Sequence, residues 1–297
     1  MEHVSWRGVL VATAVPFRPA DLRVDHDAYA EHIRWLADSG CRGVVPNGSL
    51  GEYQSLSAEE RAAVVRTAVQ AAPPGLAVVP GVSAYGADEA RRWVEQAGEM
   101  GCSAVMLLPP TAYRADDAAV LAHYRQAARA GLPIVAYNNP IDTRVDLTPA
   151  LLHRLHQEGL IVAVKEFSGD VRRAYRIAEL APGLDVLAGA DDLALELLLA
   201  GAVGWIGGFQ NALPASCVRL YEAATAGDLS TALPLYRALH PLLRWDSRTE
   251  FVQAIKLSMD VAGRPGGPTR QPRQPLSTAD AEDIRTVTEK LIAAGHH

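Results

Sequence analysis

The chain has little of what would make its partner obvious. It holds three cysteines, Cys41, Cys102 and Cys217, an odd and widely spaced set. That excludes a disulfide framework and a cysteine-built zinc site, and it fits a reducing, cytoplasmic setting. Cys41 and Cys102 each follow a glycine and lead into an apolar run, so both are expected to be packed inside. There is no lysine- or arginine-rich block, and the net charge is −6. Nucleic acid and anionic membrane are thereby excluded as main partners. No long apolar run is uninterrupted. The most apolar stretch, 193–209, is broken by Glu196 and by glycines at 201, 204, 207 and 208, which suits a helix leading into a buried strand better than a membrane span. The first residues, Met1 to Arg7, have no apolar core, so no signal peptide is expected. The ending Gly295-His296-His297 reads as a purification-tag remnant and is set aside. No internal repeat is evident.

What is present is an ordinary globular composition, 49% hydrophobic and 21% charged over 297 residues. That length suits one large domain, or one large and one small. Short apolar runs alternate with longer amphipathic ones. Strands are expected at Val9–Ala14, Gly43–Pro46, Ala77–Gly81, Ala104–Leu108, Ile134–Tyr137, Ile161–Glu166, Asp185–Ala188 and Val203–Gly207. Helices are expected near 26–39, 57–72, 87–100, 116–130, 148–158, 170–181 and 191–200. Ser57 with Glu60 has the capping-box form, and Thr148-Pro149 and Asp191 look like helix entries. Gly40, Gly101 and Gly131 sit where helices should stop.

Eight strands, each followed by a helix, predict an α/β fold, a (β/α)₈ TIM barrel with a C-terminal helical extension. A doubly wound sheet is the runner-up, but it usually places a glycine-rich phosphate turn after its first strand. Here Val15-Pro16-Phe17-Arg18-Pro19 follows that strand. From about Pro214 the pattern is helical only, at 214–226, 229–243 and 247–262, then a Gly/Pro-rich loop from Gly263 to Pro275 and a last helix from Ser277. The domain reading is a barrel carrying the active site over 1–227 and a helical segment over 228–297.

Lys165 closes the run Gly159-Leu160-Ile161-Val162-Ala163-Val164-Lys165-Glu166, which reads as a strand buried on both faces. Burying an unpartnered ammonium costs several kcal/mol and is usually relieved by losing the proton. A neutral, desolvated lysine is a nucleophile toward carbonyls and imines. The alternative is a lysine that snorkels to water or pairs with Glu166.

Barrel active sites lie at the carboxyl ends of strands. Strand two ends in Pro46-Asn47-Gly48-Ser49-Leu50-Gly51-Glu52, strand five in Tyr137-Asn138-Asn139-Pro140, and strand six in Lys165-Glu166. Tyr137 and Lys165, on neighbouring strands, should face one another. Singly, a strand-end tyrosine or a Gly-x-x-Gly turn is usually structural. His153 and His156 lie three apart on a helix without a carboxylate or cysteine to complete a metal set, and read as a solvated face. Asp191-Asp192 could bind a cation but reads better as a helix-start pair, and Trp205 reads as core. Ser83-Ala84-Tyr85-Gly86 follows strand three in the right plane to touch substrate.

Together these segments resemble the dihydrodipicolinate synthase / N-acetylneuraminate lyase family of Schiff-base barrels. The likeness rests on Gly48-Ser49-Leu50-Gly51-Glu52, Tyr137-Asn138-Asn139-Pro140, Val164-Lys165-Glu166 with Ser168-Gly169-Asp170, and Gly189-Ala190-Asp191-Asp192, and runs over essentially the whole chain. It implies an enzyme, a class I lyase or deaminase, in which Lys165 condenses with a pyruvate-type carbonyl or its cyclic imine. No cofactor or metal is implied beyond that covalent Schiff base. Tyr137 would carry protons and Ser49 would relay them. Gly48, the N–H groups of Ser49 and Leu50, Asn139, the Ile206 carbonyl and Gly207 would bind substrate. A homo-oligomer, a tetramer or dimer, is implied as well.

Departures from the family's synthases point further. Those enzymes carry two adjacent tyrosines after strand four, where this chain has Leu108-Pro109-Pro110-Thr111-Ala112-Tyr113. They carry an arginine for the second substrate's carboxylate where this chain has Asp142, with Arg144 two places on as a substitute. Neuraminate lyases need a wide polar groove, which Leu107 to Pro110 and Gly207 to Gln210 do not suggest. The segments Tyr137 to Pro140, Lys165 to Arg173 and Gly204-Trp205-Ile206, with Arg244-Trp245-Asp246 and Glu250 to Lys256, are similar to the 1-pyrroline-4-hydroxy-2-carboxylate deaminases. That subgroup's reaction would yield 2-oxoglutarate semialdehyde and ammonia, a step of hydroxyproline degradation. A 2-keto-3-deoxy sugar-acid dehydratase or aldolase would use the same residues, as would 4-hydroxy-tetrahydrodipicolinate synthesis. A catalytically inactive small-acid sensor is the non-enzyme alternative, and the presence of both Lys165 and Tyr137 ranks it below an enzyme.

Overall fold

A computed structural model describes residues 5–297. The expectation for the first residues, where it concerns Met1 to Val4, lies outside that range. Eight strands, β1 (Gly8–Ala12), β2 (Gly43–Val45), β3 (Ala77–Val78), β4 (Val105–Leu107), β5 (Ile134–Asn138), β6 (Ala163–Glu166), β7 (Asp185–Ala188) and β8 (Gly204–Gly207), form one sheet in the order β3-β2-β1-β8-β7-β6-β5-β4. Every pairing is parallel. Between β3 and β4 the ring is drawn together by a parallel bridge of Gly81 with Met106. The Met106 amide donates to the Pro80 carbonyl at 2.9 Å, and the Val82 amide donates to Met106 at 3.0 Å. The fold is the expected (β/α)₈ barrel. Its strands are buried along almost their whole length, because helices cover the outside and side chains fill the inside.

The helices follow the periodicity. They are α1 (His26–Asp38), α2 (Ala58–Ala71), α3 (Ala87–Glu99), α4 (Asp117–Ala128), the short α5 (Pro140–Thr143), α6 (Pro149–Gln157), α7 (Arg172–Leu180), α8 (Ala194–Leu199) and α9 (Pro214–Thr225). Ser57 and Glu60 form a reciprocal capping box at the start of α2, satisfying two otherwise orphaned amides. Thr148 caps α6. Gly40, Gly101 and Gly131 end their helices at φ of +92°, +85° and +83°, where a side chain would strain the backbone. The short α5 was not expected. It begins when Asn139 caps the Asp142 amide and Pro140 pre-sets the first turn. Cys41, Cys102 and Cys217 are free and buried, as their settings suggested for the first two.

Beyond the barrel lie α10 (Leu229–Leu243), α11 (Phe251–Val261) and α12 (Thr278–Ala293). One continuous apolar core runs from the strands through α10 and α11 to Ile284 and Leu291 of α12. The residues set aside at the end make contact: the Ser216 amide donates to the His297 carbonyl, and the His297 amide donates to Ser216 Oγ at 3.0 Å. No helix among the described residues is long and apolar enough to cross a membrane.

The extension is tied to the β2 turn by a buried ion pair. Lys256 Nζ on α11 lies 2.7 Å from Glu52 Oε1, and both side chains are 2% exposed. Glu52 sits at φ +52°. Its other oxygen accepts from the Arg270 amide at 2.9 Å. Lys256 also donates to the Pro268 carbonyl at 2.8 Å. Removing one member of such a pair strands the other charge without water, at a cost of about 3–5 kcal/mol. Lys256→Ala should therefore lower the thermal midpoint sharply. Pairing it with Glu52→Gln should recover part of the loss, measured by calorimetry on all three variants.

Candidate active site

The register of the sheet decides where the chemistry sits. Tyr137 pairs with Lys165 across β5 and β6, and side chains alternate faces along a strand. Lys165 and Glu166 therefore part company. Glu166 accepts from Asn138 Nδ2 at 3.0 Å and from the Ser168 amide at 2.7 Å. Lys165 turns to a cavity of about 730 Å³ at the carboxyl ends of the strands. It is 5% exposed. Its Nζ stands over the Tyr137 ring, 4.3 Å from the centroid. Among the described residues no carboxylate lies within 4.0 Å of it. Burial holds the amine below its ordinary range, opposed by the charges of Asp246 and Asp191. Neither alternative for this lysine, pairing with Glu166 or reaching water, is what the chain does.

Tyr137 is also buried, and burial pushes its phenol up, so it carries its proton. Asn139 Nδ2 donates to its hydroxyl at 3.3 Å and to Asp142 Oδ2 at 2.8 Å. Phe167 meets the ring edge-on, with centroids 6.4 Å apart. The phenol is thus held in place from two sides. Asn139 lines the cavity, but its amide is already committed to Tyr137 and Asp142. Asn138, the other amide of the motif, is structural: it bonds Glu166 and accepts from the Leu147 amide at 3.0 Å.

Gly48, Ser49 and Leu50 form the wall opposite. Among the described residues, the N–H groups of Ser49 and Leu50 donate to no protein acceptor. Successive amides left open in a tight turn make an anion-binding concavity. Tyr137 takes its hydrogen bond from Asn139 in this structure; Ser49 Oγ makes none to it. Gly207 and Gly208 line the cavity, but Ile206 is not part of the wall; it is fully buried in the core. One expectation therefore needs correction. The strand ends at the glycines, and it is they that open the space. A Cβ on Gly207 would fall 1.8 Å from Asp191 Oδ1.

Two acidic residues were not identified as site residues. Asp191 is no simple helix-start residue. Fully buried, it accepts from Trp205 Nε1 at 2.9 Å, from the Gly208 and Phe209 amides at 3.0 and 2.8 Å, and from Gln210 Nε2 at 3.3 Å. It therefore holds the turn after β8. Trp205 is core, as expected, with its indole N–H satisfied there. Asp246, between α10 and α11, lines the cavity and is 8% exposed. With it come Ser247, Arg248 and Phe251, so the helical segment completes a site that the domain reading gave to residues 1–227. The signals in the sequence were the likeness of Arg244-Trp245-Asp246 to the deaminase subgroup and the largely polar break, Arg244 to Thr249, between two apolar helical patterns.

Other residues fall as follows. Ser83, Ala84 and Tyr85 do line the cavity, and Ser83 Oγ accepts from the Leu108 amide at 3.2 Å. Arg144, at φ +59°, is exposed and is not part of the wall, whereas Asp142 is. Tyr113 is 60% exposed.

The chain has relatives among known proteins. Residues 5–293 match the Dihydrodipicolinate synthetase family. The chain is 33% identical over 289 residues to the 4-hydroxy-tetrahydrodipicolinate synthase of Methanothrix thermoacetophila, covering 96% of this chain and 97% of that one. It is 32% identical over 293 residues to an uncharacterized DapA-like lyase of Rhizobium meliloti, covering 97% of each. Among solved structures it is similar to dihydrodipicolinate synthase from Aquifex aeolicus, with a TM-score of 0.91, 27% identity and 96% and 98% of the chains covered. It is also similar to YagE of E. coli K12 in complex with pyruvate, with a TM-score of 0.90, 27% identity and 97% and 99% covered. The chain therefore belongs to the dihydrodipicolinate synthetase family, and it is an enzyme of that family's lyase type.

Proposed function

We propose that the enzyme opens 1-pyrroline-4-hydroxy-2-carboxylate on Lys165, dehydrates and deaminates it, and releases 2-oxoglutarate semialdehyde and ammonia. The observation that supports a Schiff base is the desolvated Lys165 amine over the Tyr137 ring, with no carboxylate among the described residues within 4.0 Å. Lys165 attacks C2 of the cyclic imine. Tyr137 supplies a proton to the departing ring nitrogen, and the resulting iminium acidifies C3. The open amides of Ser49 and Leu50 hold the substrate carboxylate. Gly48, Asn139 and Gly207 shape the wall around it, with Asn139 acting through Tyr137. No cofactor is needed for these steps. A homo-oligomer, dimer or tetramer, is part of the same reading.

The synthases named among its relatives make a different product, and two features weigh against that reaction here. A carboxylate, Asp142, lines the cavity where their arginine is expected, and Arg144 stands outside it. One observation favours a second reading. A cavity of about 730 Å³ leaves room for an open-chain 2-keto-3-deoxy sugar acid. Coupled assays of ammonia release from the pyrroline, beside dehydration of a keto-deoxy acid panel, separate the two. The proposal expects ammonia and semialdehyde in equal amounts; turnover confined to the open-chain acids would overturn it.

A further inference from the structure

We propose that Asp246, contributed by the helical extension, is a further catalytic residue: the acid that protonates the departing C4 hydroxyl. This deepens the proposed reaction and rests on it. The placement comes first. Asp246 stands beside the Gly207–Gly208 end of β8, whereas Tyr137 comes from β5, three strands around the ring from β8. Lys165, on β6, lies between them. A substrate joined to Lys165 therefore has a phenol on one flank and a carboxyl on the other.

The two oxygens of Asp246 are not equivalent. Oδ2 accepts from the Asp191 amide at 3.1 Å, which fixes the side chain. Oδ1 has no hydrogen-bond partner among the described residues and points toward Gly208, where a Cβ would lie 3.2 Å away. Gly208 lines the cavity, and the lack of a side chain there leaves that oxygen accessible from it. No cation lies within 4.0 Å of the carboxyl among the described residues. The nearby arginines are turned elsewhere: Arg248 lies over the Trp245 ring at 4.1 Å, and Arg273 donates to the Thr249 carbonyl at 3.2 Å.

The groups facing Asp246 also favour its acid form. Asp191, its neighbour, has four donors aimed at it and is the better place for the negative charge. Asp192 lies close as well, accepting from Ser247 Oγ at 2.8 Å. Two close carboxyls do not both ionise cheaply in a dry site. Burial and the Asp191 charge push Asp246 well above the usual carboxylate range, against the pull of Lys165.

The step balances. As the C2–N bond breaks, one proton passes from the Lys165 nitrogen and one from Tyr137 to the ring nitrogen, leaving an iminium and a phenolate. The phenolate takes a C3 proton, and the C3–H electrons form the enamine. Those electrons then make the C3–C4 double bond as the C4–O bond breaks. The hydroxyl takes the Asp246 proton and leaves as water, giving the conjugated iminium and the Asp246 carboxylate. Isomerisation toward C5 gives an imine whose hydrolysis releases ammonia. Hydroxide is a poor leaving group, so general acid help here is worth about 10²–10⁴ in rate.

The test uses Asp246→Asn, which keeps an oxygen for the Asp191 amide and removes the acidic proton. Ammonia release from the pyrroline should fall at least about a hundredfold. Borohydride trapping of pyruvate on Lys165 should stay near wild type. A 4-chloro analogue, whose chloride departs without a proton, should be turned over by the variant within a few-fold of wild type. Equal loss with both leaving groups would mean that Asp246 only shapes the site, and full activity on the hydroxy substrate would remove any role. Asp246→Glu, with a carboxyl retained, should keep part of the activity and covers the case of a poorly folded Asn variant. If the wild-type enzyme releases no ammonia from the pyrroline while still trapping pyruvate, the substrate reading fails and takes this role with it.

Discussion

Lys165→Ala is expected to abolish turnover, leaving no rate above the uncatalysed background on any 2-oxo acid or cyclic imine. The reason is covalent. The amine supplies the electron sink, and no other lysine reaches the cavity: the chain has three, and Lys256 is locked to Glu52 while Lys290 lies on α12. Alanine removes the nucleophile and leaves its partners unchallenged, because Lys165 pairs with no carboxylate whose charge would then be stranded. The variant should therefore fold with a near-normal melting point. Arginine would be a poor control, since it keeps a charge that this pocket disfavours. The same burial fixes the pH response. Lys165 is held below its ordinary range, and only the neutral amine attacks. Turnover should therefore rise with pH through the depressed value, with this acid limb complete before 10.5, the ordinary lysine value. An acid limb centred at or above that value would contradict the account.

Tyr137→Phe should lower the rate by about 10²–10⁴ while leaving Schiff-base chemistry possible. The ring under Lys165 Nζ and the edge contact with Phe167 both survive the change. Only the hydroxyl is lost, and with it the acceptor of the Asn139 amide. That amide keeps Asp142 as a partner at 2.8 Å, so the fold should hardly notice. The deficit should appear in kcat more than in KM, because proton transfer occurs after binding. Single-turnover kinetics with the preferred substrate checks this; a variant slowed only in binding would refute the role.

Much of this was legible before any coordinates. Strand and helix alternate with distinct periods, and parallel strands buried on both faces read as short apolar runs. Observed bounds therefore fall within a few residues of the expected ones, and Asp185–Ala188 and Leu229–Leu243 coincide. Lys165 stood out because a charge closing an apolar run conflicts with its surroundings. What escaped was long-range. Asp246 lies in a connection between two helices of the extension, and nothing in local periodicity says which barrel end that connection covers. Asp191 looked like a cap because caps and anchors share a residue type; only the fold shows four donors, one from β8 and three from the turn after it, converging on it. The Ile206 carbonyl was expected at the cavity; Ile206 is fully buried, and Gly207 and Gly208 line the opening.

These effects share one condition, an uncharged amine inside the barrel mouth acting as a nucleophile. Borohydride reduction of the wild-type enzyme with pyruvate, followed by peptide mass mapping, tests it most directly, and three lysines keep the map simple. The account predicts a single reduced pyruvyl adduct, on the peptide carrying Lys165. An unmodified Lys165, or label on Lys256 or Lys290 instead, would contradict it.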